Sequence, residues 1–454
     1  MPSLLLKNAT LLATMDDDRR RFQNGGIYVE DNVISQVGPS SNLPPLADRV
    51  VDARGMVVLP GLINTHHHLY QSLTRALPGA QNAKLFDWLR YLYPIWAGLT
   101  AEAVYVSALV GLGELALSGC TTSTDHLYIY PNDARIDDEI RAARDLGIRF
   151  QPSRGSMSMG ESEGGLPPDS VVEDEDAIMA DTERACHQHH DPSRYSMVRI
   201  AVGPCSPFSV TPELMRRSAT LARDHGLHLH THVAETADEN EYCRKMFGVR
   251  PVELMRQLEW VGPDVSWAHC VHLNEAEIDL MAETGTGVSH CPTSNMRLGS
   301  GIAPVRAMLD AGVKVAIAVD GSASNDSGHL IDEVRHAMLL QRVALGADAL
   351  SSDEALWMGT RGGAAVLGRD DVGALAPGMA ADFIGIRLDR LALAGAQADP
   401  LAALIFCAPP TVDLSVINGR VVVENGQIQT IDMPAVITQH NEIASRLLNR
   451  AQET

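Results

Sequence analysis

Three consecutive histidines, His66, His67 and His68, follow an apolar run that begins at Val57. Residues separated by one position on an extended strand point to the same side. His66 and His68 can therefore bind one ion together, while His67 points away. Neutral imidazole is the commonest protein ligand for zinc and related metals. The spacing predicts part of a metal site, although adjacent histidines alone are also typical of a polar strand end.

Polar residues recur at the ends of other strand-like segments, in HLHTHVAE (228–235), at His269 and in the Asp320-Gly321 pair. The predicted metal ligands are His66, His68, His232 and Asp320. Three imidazoles and a carboxylate, with a position left open for water, suit catalytic zinc. Iron(II) and manganese are alternatives for the same ligand types. We expect one divalent ion per subunit.

His228 and His230 share a strand face with His232 and are the weaker ligand candidates. His232 is preferred because Glu235 follows it by three residues. One side chain can then bind the metal while the other reaches a neighbouring substrate atom.

Three residues are the predicted catalytic groups: Glu235, His269 and Asp320. Zinc lowers the pKa of bound water to about 7, which makes hydroxide available at neutral pH. Asp320 would accept the proton of that water, and Glu235 would protonate a ring nitrogen of the substrate. His269 would hydrogen-bond the attacking oxygen. The alternative for Glu235 is a carboxylate favoured by a helix N-terminus.

The segments that position these residues alternate between short β-branched runs and helix-length amphipathic stretches, which is typical of βα units. Eight strands are predicted: Val57–Thr65, Cys120–Asp125, Arg149–Ser153, Val198–Gly203, Leu227–His232, Val265–Cys270, Gly287–His290 and Lys314–Asp320. Eight such units indicate an α/β fold of the (β/α)8 TIM-barrel type, with the active site at the C-terminal ends of the strands. A doubly wound sheet is the alternative, but no glycine-rich phosphate-binding pattern follows the first strand.

Short strands and turns flank the barrel on both sides. We expect residues 1–56 and 371–430 to form two halves of one small β-sandwich domain, with the metal-dependent hydrolase barrel at 57–370 between them. Residues 431–454 have the pattern of a C-terminal helix.

The chain contains only four lysines, and none lies between Lys84 and Lys245. Many two-metal enzymes on this type of barrel bridge their ions with a carboxylated lysine at the end of strand four. Here that strand ends in Gly203-Pro204-Cys205-Ser206. The sequence therefore predicts a single metal. Cys205 is expected to line the pocket, because no base lies beside it to make it a nucleophile.

Composition excludes several classes of partner. The 454 residues are 45% apolar and carry a net charge of −21, which disfavours nucleic acid and acidic membranes. No apolar run is long enough to suggest a membrane span. The seven scattered cysteines suggest reduced thiols, and the N-terminal segment lacks the features of a signal peptide. We expect a cytoplasmic protein.

These motifs together resemble the amidohydrolase superfamily, in its deaminase and chlorohydrolase branch. The matching segments are PGLINTHHH (60–68), HVAE (232–235), AHCVH (268–272), SHCPTSN (289–295) and DGSASN (320–325). The resemblance implies an aminohydrolase acting on C–N bonds of a cyclic amidine, and a homo-oligomer. It also implies loop-ordering roles for Asn295 and Asn325, and a place near the metal, not on it, for His290.

Three segments bear on the substrate: those around Gln71, Trp88 and Cys205. They resemble the members of the branch that deaminate 8-oxoguanine, and hydroxyatrazine-type triazine hydrolases as well. Gln71 can donate to and accept from the edge of a heterocycle, and Trp88 offers a face for stacking. The alternatives are a loop cap for Gln71 and helix packing for two of the three aromatic residues Trp88, Tyr93 and Trp96.

The predicted reaction is hydrolytic deamination of 8-oxoguanine to urate and ammonia, as a step of purine metabolism. The alternative substrates are triazines, guanine, isocytosine-like pyrimidines and adenosine derivatives. A cyclic-amide hydrolase is disfavoured by the missing lysine. A non-catalytic scaffold is disfavoured because such proteins usually lose metal ligands, which this chain retains.

Overall fold

The computed structural model describes residues 3–407 and 411–453. Within them the strands are β1 (Ser3–Ala13), β2 (Arg21–Glu30), β3 (Val33–Pro39), β4 (Arg49–Asp52), β5 (Met56–Pro60), β6 (Leu62–Asn64), β7 (Cys120–Leu127), β8 (Arg149–Ser156), β9 (Ala201–Pro204), β10 (His228–Val233), β11 (Val265–His269), β12 (Gly287–His290), β13 (Val315–Ile317), β14 (Phe383–Arg387), β15 (Leu414–Ile417), β16 (Arg420–Glu424) and β17 (Gln427–Ile428).

The α-helices of the same residues are α1 (Leu85–Trp96), α2 (Ala101–Leu117), α3 (Ile136–Leu146), α4 (Glu175–His189), α5 (Pro212–Asp224), α6 (Ala237–Phe247), α7 (Pro251–Gln257), α8 (Glu275–Thr284), α9 (Pro292–Arg297), α10 (Val305–Asp310), α11 (Leu330–Leu345), α12 (Ser352–Trp357), α13 (Gly363–Val366), α14 (Pro400–Cys407) and α15 (Met433–Glu453). Among the described residues, no helix is both long and apolar enough to cross a membrane.

Strands β6 to β13 form one parallel sheet in which each strand neighbours the next along the chain. The backbone N–H of Thr65, just after the first of these strands, donates to the carbonyl of Ile317 at the end of the last, at 3.3 Å. The sheet therefore curls into a nearly closed barrel, and the predicted TIM barrel is confirmed. Helices return the chain between strands and cover the barrel, as βα units require.

The first predicted strand is wrong in one respect, because it is two strands. β5 pairs with β1 and β14 outside the barrel, and β6 pairs with β7 inside it. The chain changes sheets at Gly61, where an added Cβ would lie 2.0 Å from the Thr121 hydroxyl oxygen. Both halves are apolar and buried, so the hydrophobic pattern does not reveal the break.

The other nine strands form a second, mixed sheet that draws on both ends of the chain. Inward-facing residues of β1, β2, β5, β14 and β15 share one hydrophobic core. Burial of such apolar surface contributes about 25 cal/mol per Å². Strands from the two chain ends thus fold as one unit beside the barrel, while the domain boundaries given above stay a prediction.

Local signals set the ends of the helices that flank the site. The Thr100 side chain accepts the N–H of Ala103 and begins α2, and Thr211 does the same for Leu214 in α5. Such caps satisfy N–H groups that have no partner within the helix.

Candidate active site

Four side chains from three separate stretches of the barrel meet at one point. The Nε2 atoms of His66 and His68 lie 3.3 and 3.4 Å from Oδ1 of Asp320. The Nε2 atoms of His68 and His232 are 3.2 Å apart. All four side chains are buried. The predicted ligand set is therefore brought together at the C-terminal end of the barrel.

The hydrogen bonds of these histidines fix which nitrogen carries the proton. His68 Nδ1 lies 2.7 Å from the carbonyl of His126, and His232 Nδ1 lies 2.6 Å from that of Cys205. A carbonyl only accepts, so both Nδ1 atoms must donate and both Nε2 atoms carry lone pairs. Two lone pairs then face each other beside a carboxylate, an arrangement that a cation stabilises.

His66 is positioned by a second histidine, His230. His230 Nδ1 contacts the Ser266 hydroxyl at 2.8 Å, and its Nε2 lies 2.7 Å from His66 Nδ1. The Nε2 atom of His66 is buried and makes no hydrogen bond to the described residues. These donor atoms fit a divalent metal ion, and His230, with both ring nitrogens engaged, would orient His66.

Asp320 is held in place by its neighbours. Its Oδ2 accepts from the hydroxyls of Ser294 and Ser324, at 2.5 and 2.9 Å, and its Oδ1 accepts the N–H of Gly321 at 2.7 Å. Burial opposes ionisation, but the imidazoles of His66, His269 and His68 outweigh it and keep the pKa of Asp320 well below its usual range. Its backbone is left-handed, with φ of 63°, a strained conformation that is concentrated at functional sites.

Glu235 and His269 lie next to this cluster. Their carboxylate and imidazole are 3.6 Å apart, and His269 Nε2 lies 3.9 Å from Oδ2 of Asp320. His269 Nδ1 contacts the Asn295 side-chain oxygen at 2.9 Å, which sets the orientation of the ring. Burial raises the pKa of Glu235, which favours a carboxyl group able to donate a proton.

A cavity of about 410 Å³ opens onto these residues. Among its lining residues are His68, His232, Glu235, His269 and Asp320, together with Gln71, Leu85, Trp88, Leu89, Tyr93, Tyr128, Cys205, Ser206, Phe208, Leu298 and Ser324. Aromatic and aliphatic side chains form its walls, and the polar groups gather at the metal-binding end. Such a chamber suits a flat, largely apolar ring with a few polar edges.

Gln71 is the least satisfied polar side chain of this cavity. It is fully buried, and neither its amide nitrogen nor its oxygen has a partner among the described residues. The side chain fits only because residue 321 is glycine, since an added Cβ there would lie 1.9 Å from Gln71 Oε1. Buried polar groups in proteins are usually hydrogen-bonded, so this carboxamide has free bonding capacity toward a molecule in the cavity.

Of the three aromatic residues considered on α1, two line the cavity and one packs behind them. The expectation that only one would face the pocket is wrong. The indole N–H of Trp88 donates a hydrogen bond to the Ala323 carbonyl at 3.1 Å, which fixes the ring. Tyr93 lines the same cavity. Trp96 packs against both, with ring centroids 5.5 and 5.9 Å away.

Cys205 lines the cavity, and burial raises the pKa of its thiol to about 12. It is therefore a neutral wall at physiological pH. The backbone carbonyl of Cys205 accepts a hydrogen bond from His232 Nδ1 and so orients that ring.

The position expected to hold a bridging lysine is closed. An added Cβ at Gly203 would lie 2.7 Å from His126 Nε2, and that nitrogen contacts the Gly203 carbonyl at 2.6 Å. A side chain longer than that of glycine therefore has no room at position 203. His126 and Tyr128 at the end of β7 were missed in the sequence, although Asp125-His126 is itself a polar strand ending.

The remaining histidines have other surroundings. His67 Nε2 faces Gly111 of helix α2, outside the barrel, as expected from strand alternation. His290 is buried and makes no side-chain hydrogen bond to described residues. Asn325 donates to the Val319 carbonyl and to Glu333, at 2.6 and 3.0 Å, and so orders the loop after Asp320.

The barrel and the ligands gathered at its strand ends define a metal-dependent hydrolase. A model of the amidohydrolase family matches residues 57–422, and the chain belongs to this family.

Similar proteins share nearly the full length of the chain. It is 46% identical to an 8-oxoguanine deaminase of Pseudomonas aeruginosa, over 93% of this chain and 95% of that protein. It is 39% identical to a hydroxydechloroatrazine ethylaminohydrolase of Pseudomonas sp. strain ADP, over 89% and 88% of the two chains. The crystal structure of atrazine chlorohydrolase from Arthrobacter aurescens TC1 complexed with zinc superposes with a TM-score of 0.93, at 35% identity, over 97% of this chain and 100% of that one.

Proposed function

We propose that this protein is a zinc-dependent deaminase that hydrolyses 8-oxoguanine to urate and ammonia. The observation that carries the proposal is the position of Glu235. Its carboxyl group lines the same buried cavity as the metal-binding histidines, within 3.6 Å of His269. A proton donor thus stands beside the point where water would be activated.

The metal assignment rests on the ligand types and on how they are oriented. Three imidazoles and one carboxylate suit zinc, with iron(II) or manganese as alternatives. We propose one ion per chain, held by His66, His68, His232 and Asp320. Both ring nitrogens of His230 are engaged, by the Ser266 hydroxyl and by His66, so His230 is not available to a second ion.

Bound zinc lowers the pKa of a coordinated water to about 7. With the metal bound, Asp320 would accept a proton from the attacking water, whose oxygen would bond to the carbon bearing the exocyclic amine. Glu235 protonates the adjacent ring nitrogen, and His269 hydrogen-bonds the attacking oxygen and stabilises its charge. Asp320 then returns its proton to the exocyclic nitrogen, the C–N bond breaks and ammonia departs, while the added hydroxyl gives its proton to Glu235 and becomes the carbonyl of the product.

The ring is recognised by the walls of the cavity. The Gln71 carboxamide can donate to one amide-type group of an oxopurine and accept from another. Trp88 and Tyr93 offer faces or edges for the bicyclic ring. A buried site that hydrogen-bonds its substrate rejects analogues that leave those groups unpaired.

The test is ammonia release by the metal-replete protein across 8-oxoguanine, guanine, isocytosine, adenosine and amino-substituted triazines. We expect the highest kcat/KM for 8-oxoguanine, with urate as the second product. Higher kcat/KM for any other member of the panel would reject the substrate assignment and leave the deaminase class standing.

A second candidate is a triazine aminohydrolase. The observation that favours it is the likeness to the hydroxydechloroatrazine ethylaminohydrolase over most of both chains. A hydroxylated N-alkylamino-triazine belongs in the same panel, with alkylamine as the product to be measured.

A further inference from the structure

A second cavity lies at the opposite end of the barrel from the catalytic groups. It occupies about 1040 Å³ and is reached from the N-terminal ends of strands β8 to β11. Gln151 near the start of β8, Ile200 just before β9, His228 at the start of β10 and Asp264 just before β11 all line it. None of these residues takes part in the chemistry proposed above.

The cavity contains one arginine whose charge has no acidic partner. Arg149 and Arg369 nearby are paired with Asp382 and Asp371. Arg199 makes no ion pair within the described part of the chain. Its donors reach only the Ser196 hydroxyl, at 3.2 Å, and the carbonyls of residues 192 and 193, at 3.4 and 3.3 Å. The Nη1 group is bonded to none of the described residues, so the guanidinium faces the cavity with unused donors.

A histidine adds a second donor with a defined tautomer. His190 Nδ1 accepts the N–H of Ile200 at 3.1 Å, so this ring, when neutral, must carry its proton on Nε2. That Nε2 is buried and has no acceptor among the described residues. Burial and the neighbouring Arg199 lower the pKa of His190, which is consistent with a neutral ring at pH 7.

Two further polar groups of the cavity are also unpartnered. The Gln151 side chain is 3% exposed, and its Oε1 has no hydrogen-bond partner among the described residues. His228 Nε2 is also buried and also lacks a hydrogen-bond partner among them. Among the described residues that line the cavity, Asp264 is the only one with a carboxylate, and it is bound by Arg223 at 3.0 Å. The uncompensated charge of the lining is therefore positive, in a protein whose net charge is −21.

We propose that this cavity is a second binding site, specific for a small oxyanion such as inorganic phosphate. Arg199 supplies the charge and unused N–H donors, a pairing that planar guanidinium makes strongly with oxyanions. His190 Nε2 donates a neutral hydrogen bond, and the Gln151 carboxamide turns to donate or accept according to the protonation of the oxyanion.

The test is calorimetric titration of the metal-replete protein with inorganic phosphate at constant ionic strength. Arg199→Gln should weaken binding by about ten-fold or more, because a charge-assisted bond is lost. Arg216→Gln is the matched control, since it removes an exposed arginine of helix α5 and should leave binding unchanged. Absence of phosphate binding by the wild-type protein would overturn the proposal.

Gln151→Met is a second variant, which keeps the test decisive if Arg199→Gln does not fold. It keeps the volume of the buried side chain and removes only its polar atoms. It should weaken phosphate binding without lowering the melting temperature. Phosphate bound at the active-site metal would be insensitive to both Arg199→Gln and Gln151→Met. Full binding by the two variants would therefore reject the cavity as the site.

Discussion

At the scale of single residues, backbone carbonyls set the tautomers of two histidines in the site. His68 and His232 donate through Nδ1 to backbone carbonyls, so their Nε2 lone pairs are free to bind a cation. The Glu235 carboxyl group is held less tightly. Its nearest charged neighbour is His269, and the Ser300 hydroxyl reaches it only at 3.5 Å.

Replacement of Glu235 by Gln should abolish turnover while leaving the metal bound. The carboxamide keeps the shape but cannot donate a proton, a loss of about 10²–10⁴-fold in kcat. Metal content by elemental analysis and kcat in the same preparation check the result. Activity like that of the wild type would remove Glu235 from its proposed role.

Gln71→Leu should lower kcat/KM for 8-oxoguanine by about ten-fold, because the ring loses hydrogen bonds to a buried carboxamide. Metal content should not change. Gln81→Leu is the matched control, since Gln81 is exposed and bonds only the Ala76 carbonyl at 2.9 Å. Equal kinetics for the two variants would show that Gln71 does not touch the substrate.

The clustering of the four proposed ligands with Glu235 could be predicted from the sequence, because each lies at the C-terminal end of a strand and parallel strands bring these ends together. The residues that form the cavity walls could not be predicted in this way. Phe208, Tyr128 and Leu298 come from three distant segments, and only the packing of the loops places them around one space. The same limit explains why the sequence does not show which of Trp88, Tyr93 and Trp96 line the cavity.

At the scale of elements, the turn between β10 and α6 aims the proposed acid into the cavity. The Glu239 carboxylate accepts the backbone N–H groups of Ala234 and Glu235 at 2.7 and 2.8 Å. Ala234 has a φ of 55°, which an alanine adopts only under constraint. Glu239 is thus a positioning residue that holds a strained turn from the first turn of the helix.

Glu239→Gln should reduce kcat by about 10- to 100-fold, because one of the two N–H groups loses its acceptor and Glu235 moves. Metal content and KM should stay as in the wild type. In a Glu235→Gln background the same change should cost nothing further, which separates positioning from general instability. An equal additional loss in that background would contradict the role.

The eight barrel strands are visible in the sequence as β-branched runs. The change of sheet at Gly61 is not visible in the sequence, because an apolar run does not show which sheet each half joins. Only the contact with Thr121 explains the glycine.

At the scale of the whole molecule, a buried ion pair joins the barrel to the second sheet. Arg149, the first residue of β8, contacts Asp382 beside β14 at 3.0 Å, and neither is more than 2% exposed. The same guanidinium donates to the carbonyls of Tyr195 and Ser196, both at 2.7 Å. Breaking one partner of a buried pair leaves an uncompensated charge.

Asp382→Asn should lower the free energy of unfolding by about 3–5 kcal/mol. Asp370→Asn is the control, because Asp370 pairs with Arg194 at the surface, where 81% of its side chain is exposed. That change should cost about 1 kcal/mol or less. Denaturant unfolding measures both, and equal losses would mean that the buried pair does not hold the two parts together.

The most direct test of the account is product release from 8-oxoguanine by wild-type and Glu235→Gln proteins that contain equal amounts of zinc. We expect urate and ammonia in equal amounts from the wild type, and loss of both in the variant. No turnover by the zinc-replete wild type, or unchanged turnover in the variant, would contradict it.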